Sequence, residues 1–254
     1  MPEGDTLAWA ANRIRPVLEG RVPDEILTPH PRHALDRWPE RLAGRAVRSV
    51  DTHGKHLFIR FDGDLVIHSH LGMTGSWSVA RERRPWRRAW ILIRAGDRWV
   101  AELDGPLLEL MTEGRTRFDR RLAALGPDVL TPVFDGVRFL ARVRSDDQTR
   151  PLGDALLDQR NVAGIGNIWK AEGCWEAGID PWRRVADVSD QELIAVIEAT
   201  RPRMQRSGLD GPGTINPRVY GKTGRPCPRC GAGVLARGQG DANRTTYWCP
   251  GCQR

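Results

Sequence analysis

Two closely spaced cysteine pairs constrain the fold of this chain more than any other feature of its sequence. They are Cys227-Pro-Arg-Cys230 and Cys249-Pro-Gly-Cys252, with eighteen residues between them. A CxxC turn presents two thiolates to one ion, so two such turns complete a closed tetrahedron. We therefore predict one structural Zn²⁺ ion held by these four cysteines. Spare thiols or disulfides are the disfavoured alternative, because no secretory signal is visible and clustered CxxC pairs are typical of metal binding.

The residues between the cysteine pairs indicate a zinc-pinned β-hairpin. Strands are predicted over Gly233–Arg237 and Arg244–Trp248, joined around Gln239–Asn243. Ribbons of this kind also occur in ribosomal and transcription proteins. The zinc site alone therefore does not identify a function.

Hydrophobic patterning upstream predicts an α+β chain. Apolar residues recur at helical spacing within residues 1–20, which predicts an N-terminal helix. Residues 45–125 form short apolar runs punctuated by glycine, which predicts an antiparallel β-sandwich or barrel. The predicted strands include Arg45–His53, His56–Phe61, Leu65–His70, Ala89–Ala95 and Arg98–Leu103.

A helical region is predicted beyond the boundary sequence Leu125-Gly-Pro-Asp-Val-Leu-Thr-Pro. A cluster of Gly and Pro at Gly208–Gly213 predicts a linker before the cysteine unit. We expect a β-sandwich domain over residues 1–125, a helical domain over 126–213 and a zinc hairpin over 214–254. The predicted helices are Val137–Val143, Leu152–Asp158, Asn167–Ala177 and Asp190–Met204.

The charge balance favours a polyanionic partner. Lys and Arg number 39 against 32 Asp and Glu, which gives a net charge of +7. No stretch approaches the roughly 20 apolar residues of a membrane span, and we expect a cytoplasmic, nucleoid-associated protein of bacterial type. The run Arg81-Glu-Arg-Arg-Pro-Trp-Arg-Arg is expected to be an exposed loop, with a solvated charge run favoured over a specific DNA contact.

The N-terminus carries a candidate nucleophile beside a carboxylate. If Met1 is removed, Pro2 becomes a free secondary amine that can attack a sugar aldehyde carbon and form an iminium. The reference pKa of an α-amino group is roughly 8, so part of the amine is neutral near pH 7. Glu3 follows at once and can transfer protons.

Two further motifs can bind phosphate. Gly164 and Gly166 precede a helix predicted to begin at Asn167, and free N–H groups at a helix N-terminus bind phosphate. A plain tight turn is the more common explanation of such glycines. Lys55, in His53-Gly-Lys-His-Leu57, is a candidate phosphate ligand or proton carrier; an ordinary surface lysine is the alternative.

These motifs occur in one order along the whole chain, from residue 2 to Cys252. The order is Met1-Pro-Glu-Gly-Asp-Thr, Gly54-Lys-His-Leu, His70-Leu-Gly-Met-Thr-Gly, Ala163-Gly-Ile-Gly-Asn-Ile and then the arginine-bearing zinc hairpin. The combination resembles the formamidopyrimidine-DNA glycosylase / endonuclease VIII family of base-excision repair enzymes. The resemblance implies a β-sandwich, a helix-two-turn-helix domain and a zinc hairpin.

The resemblance also implies a bifunctional DNA glycosylase/AP lyase, expected to be monomeric. Its partner is double-stranded DNA that contains damaged bases or abasic sites, and the damaged nucleotide is flipped into a pocket. Pro2 would attack C1′ of the sugar while Glu3 acts as general acid/base. Elimination at the β position, or at β and δ, would then break the strand.

Other site residues are implied by their match to family positions. Lys55 matches a lysine that contacts phosphate and assists catalysis. Asn167, with Gly166 before it, and Arg244 match residues that grip the phosphates flanking the lesion. Glu172 also matches a family position, and a purely structural role is an equal alternative for it.

The motif His70-Leu-Gly-Met73 is implied to contact DNA, with Met73 filling the gap left by the flipped base. A core methionine is the alternative. An Arg-x-Phe pair that normally completes this wedge in the formamidopyrimidine branch is missing from Leu103-Asp-Gly-Pro-Leu-Leu-Glu-Leu. The opening Met-Pro-Glu-Gly likewise favours the endonuclease VIII branch, whose usual substrates are oxidised pyrimidines.

Two other functions compete with the enzyme hypothesis. A non-catalytic nucleic-acid-binding zinc protein would keep the hairpin and the helix turn without the chemistry. A ribosome- or RNA-associated zinc ribbon would leave Pro2 and Glu3 unexplained. Cys174, outside both pairs, is expected to be a buried structural thiol.

Overall fold

The computed structural model describes residues 2–33, 35–82 and 88–254. The chain divides into two compact units, Met1–Ala123 and Ala124–Arg254. Positions 83–87 of the expected charged loop lie outside the described residues. Within the described ranges, no helix has both the length and the apolar character required to cross a bilayer.

Helix α1 (Gly4–Leu18) opens the first unit and buries one apolar face. The helical spacing of its apolar residues directs them to this face, where they join the core of the unit. The N-terminal helix predicted from the sequence is therefore confirmed. The buried apolar residues are Leu7, Ala10, Ala11, Ile14, Val17 and Leu18.

Two four-stranded antiparallel sheets form the β-sandwich that the sequence predicts. One has the strand order β1-β6-β7-β5 and the other β2-β3-β4-β8, and side chains from both sheets enter one core. Short helices α2 (Trp38–Leu42), α3 (Glu113–Phe118) and α4 (Arg120–Ala123) complete the unit. The strands are β1 (Glu25–Leu27), β2 (Val47–His53), β3 (His56–Phe61), β4 (Leu65–His70), β5 (Ser76–Ala80), β6 (Ala89–Ala95), β7 (Arg98–Leu103) and β8 (Leu107–Thr112).

Strands β1, β5 and β8 are not anticipated by the sequence analysis. Each is short or weakly alternating, and each forms by pairing with a strand distant in sequence: β1 with β6, β5 with β7 and β8 with β4. Pairing of this kind depends on tertiary context more than on local preference.

Helices and one hairpin make up the second unit. Its core lies among the helices and includes Phe139, Leu156, Trp169 and Ile197, all essentially inaccessible to solvent. Strand β9 begins two residues later than predicted. The elements are α5 (Gly136–Ser145), α6 (Leu152–Leu157), α7 (Asn167–Ala177), α8 (Asp190–Asp210), β9 (Leu235–Gln239) and β10 (Arg244–Trp248).

Helix α8 is longer than expected and corrects the predicted linker. The sequence predicts a linker over Gly208–Gly213, yet the helix continues through Asp210. Ser207 and Gly208 are buried, so packing outweighs the low helix propensity of glycine. Gly211, with φ of 103°, ends the helix.

Candidate functional site

The four cysteines of the two CxxC pairs converge on one point. Their Sγ atoms all lie within 4.8 Å of one another. The Sγ atoms of Cys227 and Cys252 are 3.8 Å apart, and those of Cys230 and Cys249 are 3.4 Å apart. Four thiolates about 2.3 Å from a central ion would be separated by roughly 3.8 Å. The donor set therefore fits one tetrahedral Zn²⁺ ion, as the sequence predicts.

This metal centre is structural because protein ligands fill all four positions. Trp175 Nε1 donates a hydrogen bond to Cys227 Sγ at 3.3 Å and orients that ligand. Cys174 lies outside the group and is completely buried. Burial raises the pKa of the Cys174 thiol to about 12, which agrees with the expected structural role.

Buried polar contacts join the zinc hairpin to helix α7. Lys170 Nζ donates to Thr246 Oγ1 at 2.6 Å, and Thr246 Oγ1 in turn donates to Gln239 Oε1 at 2.8 Å. Gln239 Nε2 donates to the carbonyl of Pro181, also at 2.8 Å. Because these side chains are buried, the position of the hairpin on the helix is well defined.

The structure brings Asn167 to the strand that carries Arg244. Asn167 is the first residue of α7, directly after Gly166, and its Nδ2 donates to the carbonyl of Thr245 at 2.8 Å. Arg244 is the first residue of β10 and its side chain is exposed. Gly164 has φ of 103°, a backbone conformation that side-chain-bearing residues rarely adopt.

Glu172 anchors a neighbouring segment of the chain through its side chain, which supports the structural alternative for this residue. Its buried carboxylate accepts backbone N–H donors from Arg218 at 2.8 Å and from Val219 and Tyr220 at 3.0 Å. Arg203 Nη1 adds an ion pair at 2.8 Å. The carboxylate thus fixes the segment that follows α8 onto α7.

Glu3 caps helix α1 immediately after Pro2. Glu3 is 1% exposed, whereas Pro2 is half-buried. The backbone N–H of Glu3 donates to Thr6 Oγ1 at 3.3 Å, and the Thr6 N–H donates to the Glu3 carbonyl at 3.0 Å. A carboxylate at a helix N-terminus is stabilised by the helix dipole.

Lys55 and His70 lie together at the ends of neighbouring strands. Lys55 occupies the turn between β2 and β3, after Gly54 with φ of 58°. Burial lowers the pKa of His70, and the Lys55 ammonium lowers it further. His70 Nδ1 accepts the Gly72 N–H at 3.2 Å, so the neutral ring carries its proton on Nε2.

Two further histidines extend this group and were missed by the sequence analysis. His56 Nδ1 lies 2.9 Å from His68 Nε2, and His68 Nδ1 lies 3.4 Å from Glu109 Oε2. The rings of His56 and His70 are 4.8 Å apart. Burial lowers the pKa of His56 to about 3, with smaller contributions from its neighbours. The alternation of His68 and His70 on one predicted strand is the sequence pattern that could have indicated this group.

Met73 is 61% exposed in the turn after β4, so the core-methionine alternative is wrong. Gly72, with φ of 55°, packs closely on Pro106. The stretch that lacks the Arg-x-Phe pair, residues 103–110, runs into strand β8, which pairs with β4. Only the short segment Asp104–Pro106 joins β7 to β8.

This chain matches known protein families over most of its length and individual proteins over its whole length. Residues 1–124 match the model of the formamidopyrimidine-DNA glycosylase N-terminal domain, and residues 125–216 match that of the formamidopyrimidine-DNA glycosylase H2TH domain. The chain is 39% identical to "Probable endonuclease 8 2" of Streptomyces coelicolor, over 100% of this chain and 94% of that protein. It is 37% identical to "DNA-(apurinic or apyrimidinic site) lyase Nei2" of Mycolicibacterium smegmatis, over 100% and 99%.

Solved structures share the fold. The Lactococcus lactis Fpg, crystallised in complex with DNA containing an abasic site, superposes with a TM-score of 0.85 at 24% identity over 100% of both chains. The two domain matches and the full-length relatives show that the chain belongs to the formamidopyrimidine-DNA glycosylase family, which here includes proteins named endonuclease 8.

Proposed function

We propose that this chain is a bifunctional DNA glycosylase and AP lyase of base-excision repair. Its substrate is double-stranded DNA that contains damaged bases or abasic sites. The relatives named endonuclease 8 and DNA-(apurinic or apyrimidinic site) lyase support this activity. The observation that carries the proposal is Pro2 directly before a buried Glu3 at the start of α1, because the reaction requires an amine and a proton carrier side by side.

The first step is attack by the Pro2 nitrogen, freed by removal of Met1, on C1′ of the damaged nucleotide. A bond forms between nitrogen and C1′, the bond from C1′ to the base breaks, and the base leaves with the electron pair and takes a proton from water. Glu3 accepts the proton that the amine loses and delivers it to O4′ as the C1′–O4′ bond opens. The product is an open-chain iminium between Pro2 and C1′.

The second step breaks the DNA strand. The iminium withdraws electrons, so a proton at C2′ becomes acidic and is removed by a base. The electron pair left at C2′ forms a double bond, and the C3′–O bond breaks to release the 3′ phosphate. A second elimination can release the 5′ phosphate. Water then hydrolyses the iminium and restores the Pro2 amine.

Lys55 and His70 bind the phosphate backbone from the first unit. Lys55 supplies a cation, while His70 remains neutral near pH 7 and can donate from Nε2. Lys55 also assists catalysis by holding the sugar–phosphate against the Pro2 amine. A charged and a neutral donor together bind a phosphate without the mutual repulsion of two cations.

Gly166, Asn167 and Arg244 bind phosphate from the second unit. The N-terminus of the eleven-residue helix α7 is a favourable anion site. Arg244 adds an exposed guanidinium suited to bidentate phosphate contact. The hydrogen bond from Asn167 to Thr245 supports a constant spacing between these groups. Arg244 assists catalysis by holding the phosphates that flank the lesion.

Met73 fills the space left by the flipped nucleotide. An exposed, flexible apolar side chain at the tip of a turn suits this task. The substrate base is an oxidised pyrimidine in preference to a purine. Two observations support this preference: the endonuclease 8 names of the relatives, and the lack of an Arg-x-Phe pair within residues 103–110, the stretch that corresponds to the additional wedge residues of the formamidopyrimidine branch.

Zinc has no part in these bond changes. Its four cysteines hold the hairpin that presents Arg244. We further propose three functional domains, over residues 1–125, 126–213 and 214–254, in a protein that acts as a monomer. Its location is the cytoplasm, with association to the nucleoid, because its substrate lies there.

Excision from two matched duplexes tests the substrate assignment. The duplexes differ only in one base, 5-hydroxyuracil or 8-oxoguanine, and both strands are labelled. We expect single-turnover excision and strand cleavage to be faster on the 5-hydroxyuracil duplex. Faster cleavage of the 8-oxoguanine duplex would reverse the assignment, and binding without cleavage of either would favour a non-catalytic DNA-binding protein.

A further inference from the structure

A buried acid, Glu102, joins the two sheets of the β-sandwich. Glu102 lies in β7 and is 0% exposed. Its Oε1 accepts a hydrogen bond from Ser69 Oγ, 3.0 Å away in β4 of the other sheet. Ser69 Oγ also accepts from Trp77 Nε1 of β5 at 3.2 Å. The three side chains form one polar group inside an otherwise apolar core.

This polar group holds both ends of the loop that carries Met73. We call residues 70–75 the Met73 loop. Ser69 directly precedes the loop and Trp77 lies two residues after it. The hydrogen bonds from Trp77 to Ser69 and from Ser69 to Glu102 therefore connect the entry and exit of the loop to a single carboxyl group.

Glu102 also supports the Met73 loop indirectly, because Gly105 packs between the Glu102 carboxyl group and Gly75 of the loop. The Gly75 N–H donates to the Leu71 carbonyl at 2.8 Å and closes the loop. A Cβ atom at Gly75 would lie 2.9 Å from the Cα of Gly105, so these two backbones touch. A Cβ atom at Gly105 would overlap Glu102 Oε1. The Met73 loop therefore packs on Gly105, which in turn packs on the Glu102 carboxyl group.

The surroundings of Glu102 favour its neutral form. Among the described residues, its buried Oε2 has no hydrogen-bond partner. An unpaired oxygen is far more costly to bury when it carries charge. Burial raises the pKa of Glu102 to about 8, Asp104 adds to the rise, and the hydrogen bond from Ser69 opposes it. Trp77, which donates to Ser69, and Gly105, which packs against the carboxyl group, do not titrate.

We propose that Glu102 is a positioning residue, a neutral carboxylic acid that keeps the Met73 loop docked and releases it on ionisation. The consequence for DNA rests on the proposed function, because Met73 is the proposed wedge. The link between Glu102 and the loop does not depend on that function, and it can be measured without DNA.

Methionine methyl resonances provide the DNA-free test. The chain contains four methionines, and in full-length protein labelled at the methionine methyl carbon a Met73→Leu variant assigns the Met73 signal. We expect that signal to titrate with a midpoint near pH 8 in the wild type. In Glu102→Gln it should not titrate, because glutamine keeps the acceptor but cannot ionise. The same titration in both proteins, or none in the wild type, would overturn the proposal.

Ser69→Ala provides a second variant that retains the carboxyl group. It removes the hydrogen bond that lowers the pKa of Glu102. The midpoint of the Met73 titration should therefore move to higher pH. An unchanged or lower midpoint would contradict the proposed link, even if Glu102→Gln fails to fold.

Binding to a stable abasic analogue tests the consequence for DNA. The ratio of affinities for a tetrahydrofuran-containing duplex and an undamaged duplex is measured at pH 7 and pH 9 in matched salt. With a titration midpoint near 8, the neutral fraction falls about tenfold over this range. We expect the ratio to fall by up to about tenfold in the wild type and to stay constant in Glu102→Gln. An equal fall in both proteins would contradict the role of Glu102.

Covalent trapping at pH 7 separates the two hypotheses. If wild type is trapped on abasic DNA but Met73 does not titrate, the role of Glu102 fails and the proposed function stands. If Met73 titrates as expected but wild type is never trapped, the proposed function fails and the link between Glu102 and the loop stands.

Discussion

Lys170 Nζ lies 2.6 Å from Thr246 Oγ1, and both side chains are completely inaccessible to solvent. The contact joins helix α7 to strand β10, the strand that begins with Arg244. A lysine is rarely buried so deeply, because its charge must be compensated by hydrogen bonds. The attachment of the zinc hairpin therefore depends on a polar contact as well as on apolar packing.

Lys170→Met should lower the free energy of unfolding by roughly 1–3 kcal/mol, because the buried hydrogen bond from Lys170 to Thr246 is lost while most of the side-chain volume is retained. Urea unfolding, followed through spectroscopic signals from the second unit, measures this loss of stability. Lys222→Met, at a half-exposed lysine, is the matched control and should change stability by less than about 0.5 kcal/mol. Equal effects of the two substitutions would contradict the importance of the Lys170 contact.

Removal of zinc should unfold the hairpin while leaving the β-sandwich unit folded. Binding of the metal supplies folding free energy to small sites of this type. In Cys249→Ser, we expect loss of bound zinc and rapid amide hydrogen exchange over residues 227–252. Cys174→Ala is the control and should retain one zinc per chain, because Cys174 lies outside the four-cysteine group. Protected hairpin amides without metal would contradict the prediction.

His56 should make the protein labile to acid. Its folded pKa, about 3, lies below the ordinary 6.5, so the unfolded chain binds the extra proton between these values. Stability is therefore retained above pH 6.5 and falls below it, by at most about 1.4 kcal/mol per pH unit from this residue. Urea unfolding at pH 7, 6 and 5 should give a shallower decline for His56→Gln than for wild type. Parallel declines would contradict this origin.

Arg244→Ala should weaken binding to lesion DNA and reduce its dependence on salt. Loss of one phosphate contact lowers the slope of log K against log salt by about one. Affinities for a tetrahydrofuran-containing duplex, measured over a range of salt concentrations, give this slope. Arg225→Ala removes the same charge from an exposed position with no proposed DNA contact, and its slope should stay close to that of wild type. An unchanged slope for Arg244→Ala would remove this residue from the proposed site.

Local sequence patterns predicted the elements whose ends are marked by glycine and whose apolar residues are regularly spaced. Helix α7 and strands β3, β4, β6 and β7 have the predicted bounds, because their flanking glycines and their periodicity are encoded locally. Strand β8 is defined by its pairing with β4. Paired residues such as His68 and Glu109 are more than forty positions apart in the sequence. Contacts of this range are fixed by the fold and leave little trace in the local pattern.

In the candidate site, too, locally encoded features could be predicted from the sequence and features that depend on distant residues could not. The zinc ligands could be predicted from spacing alone, because a CxxC turn determines where its thiolates point. The environment of Lys55 could not, since it depends on His70 across the sheet. Likewise, the sequence shows Glu102 only as a charged residue in a predicted strand. Its burial becomes evident from the contacts with Ser69 and Gly105 in the folded protein.

Borohydride trapping on DNA with an abasic site tests the central claim most directly. Reduction should convert the iminium to a stable covalent adduct, and mass spectrometry of the adduct peptide should place the cross-link on the nitrogen of Pro2. An uncleaved N-terminal extension should abolish trapping, whereas Pro2→Gly should retain a primary amine and reduced activity. Undiminished trapping by the extended protein, or a cross-link on another residue, would contradict Pro2 as the nucleophile.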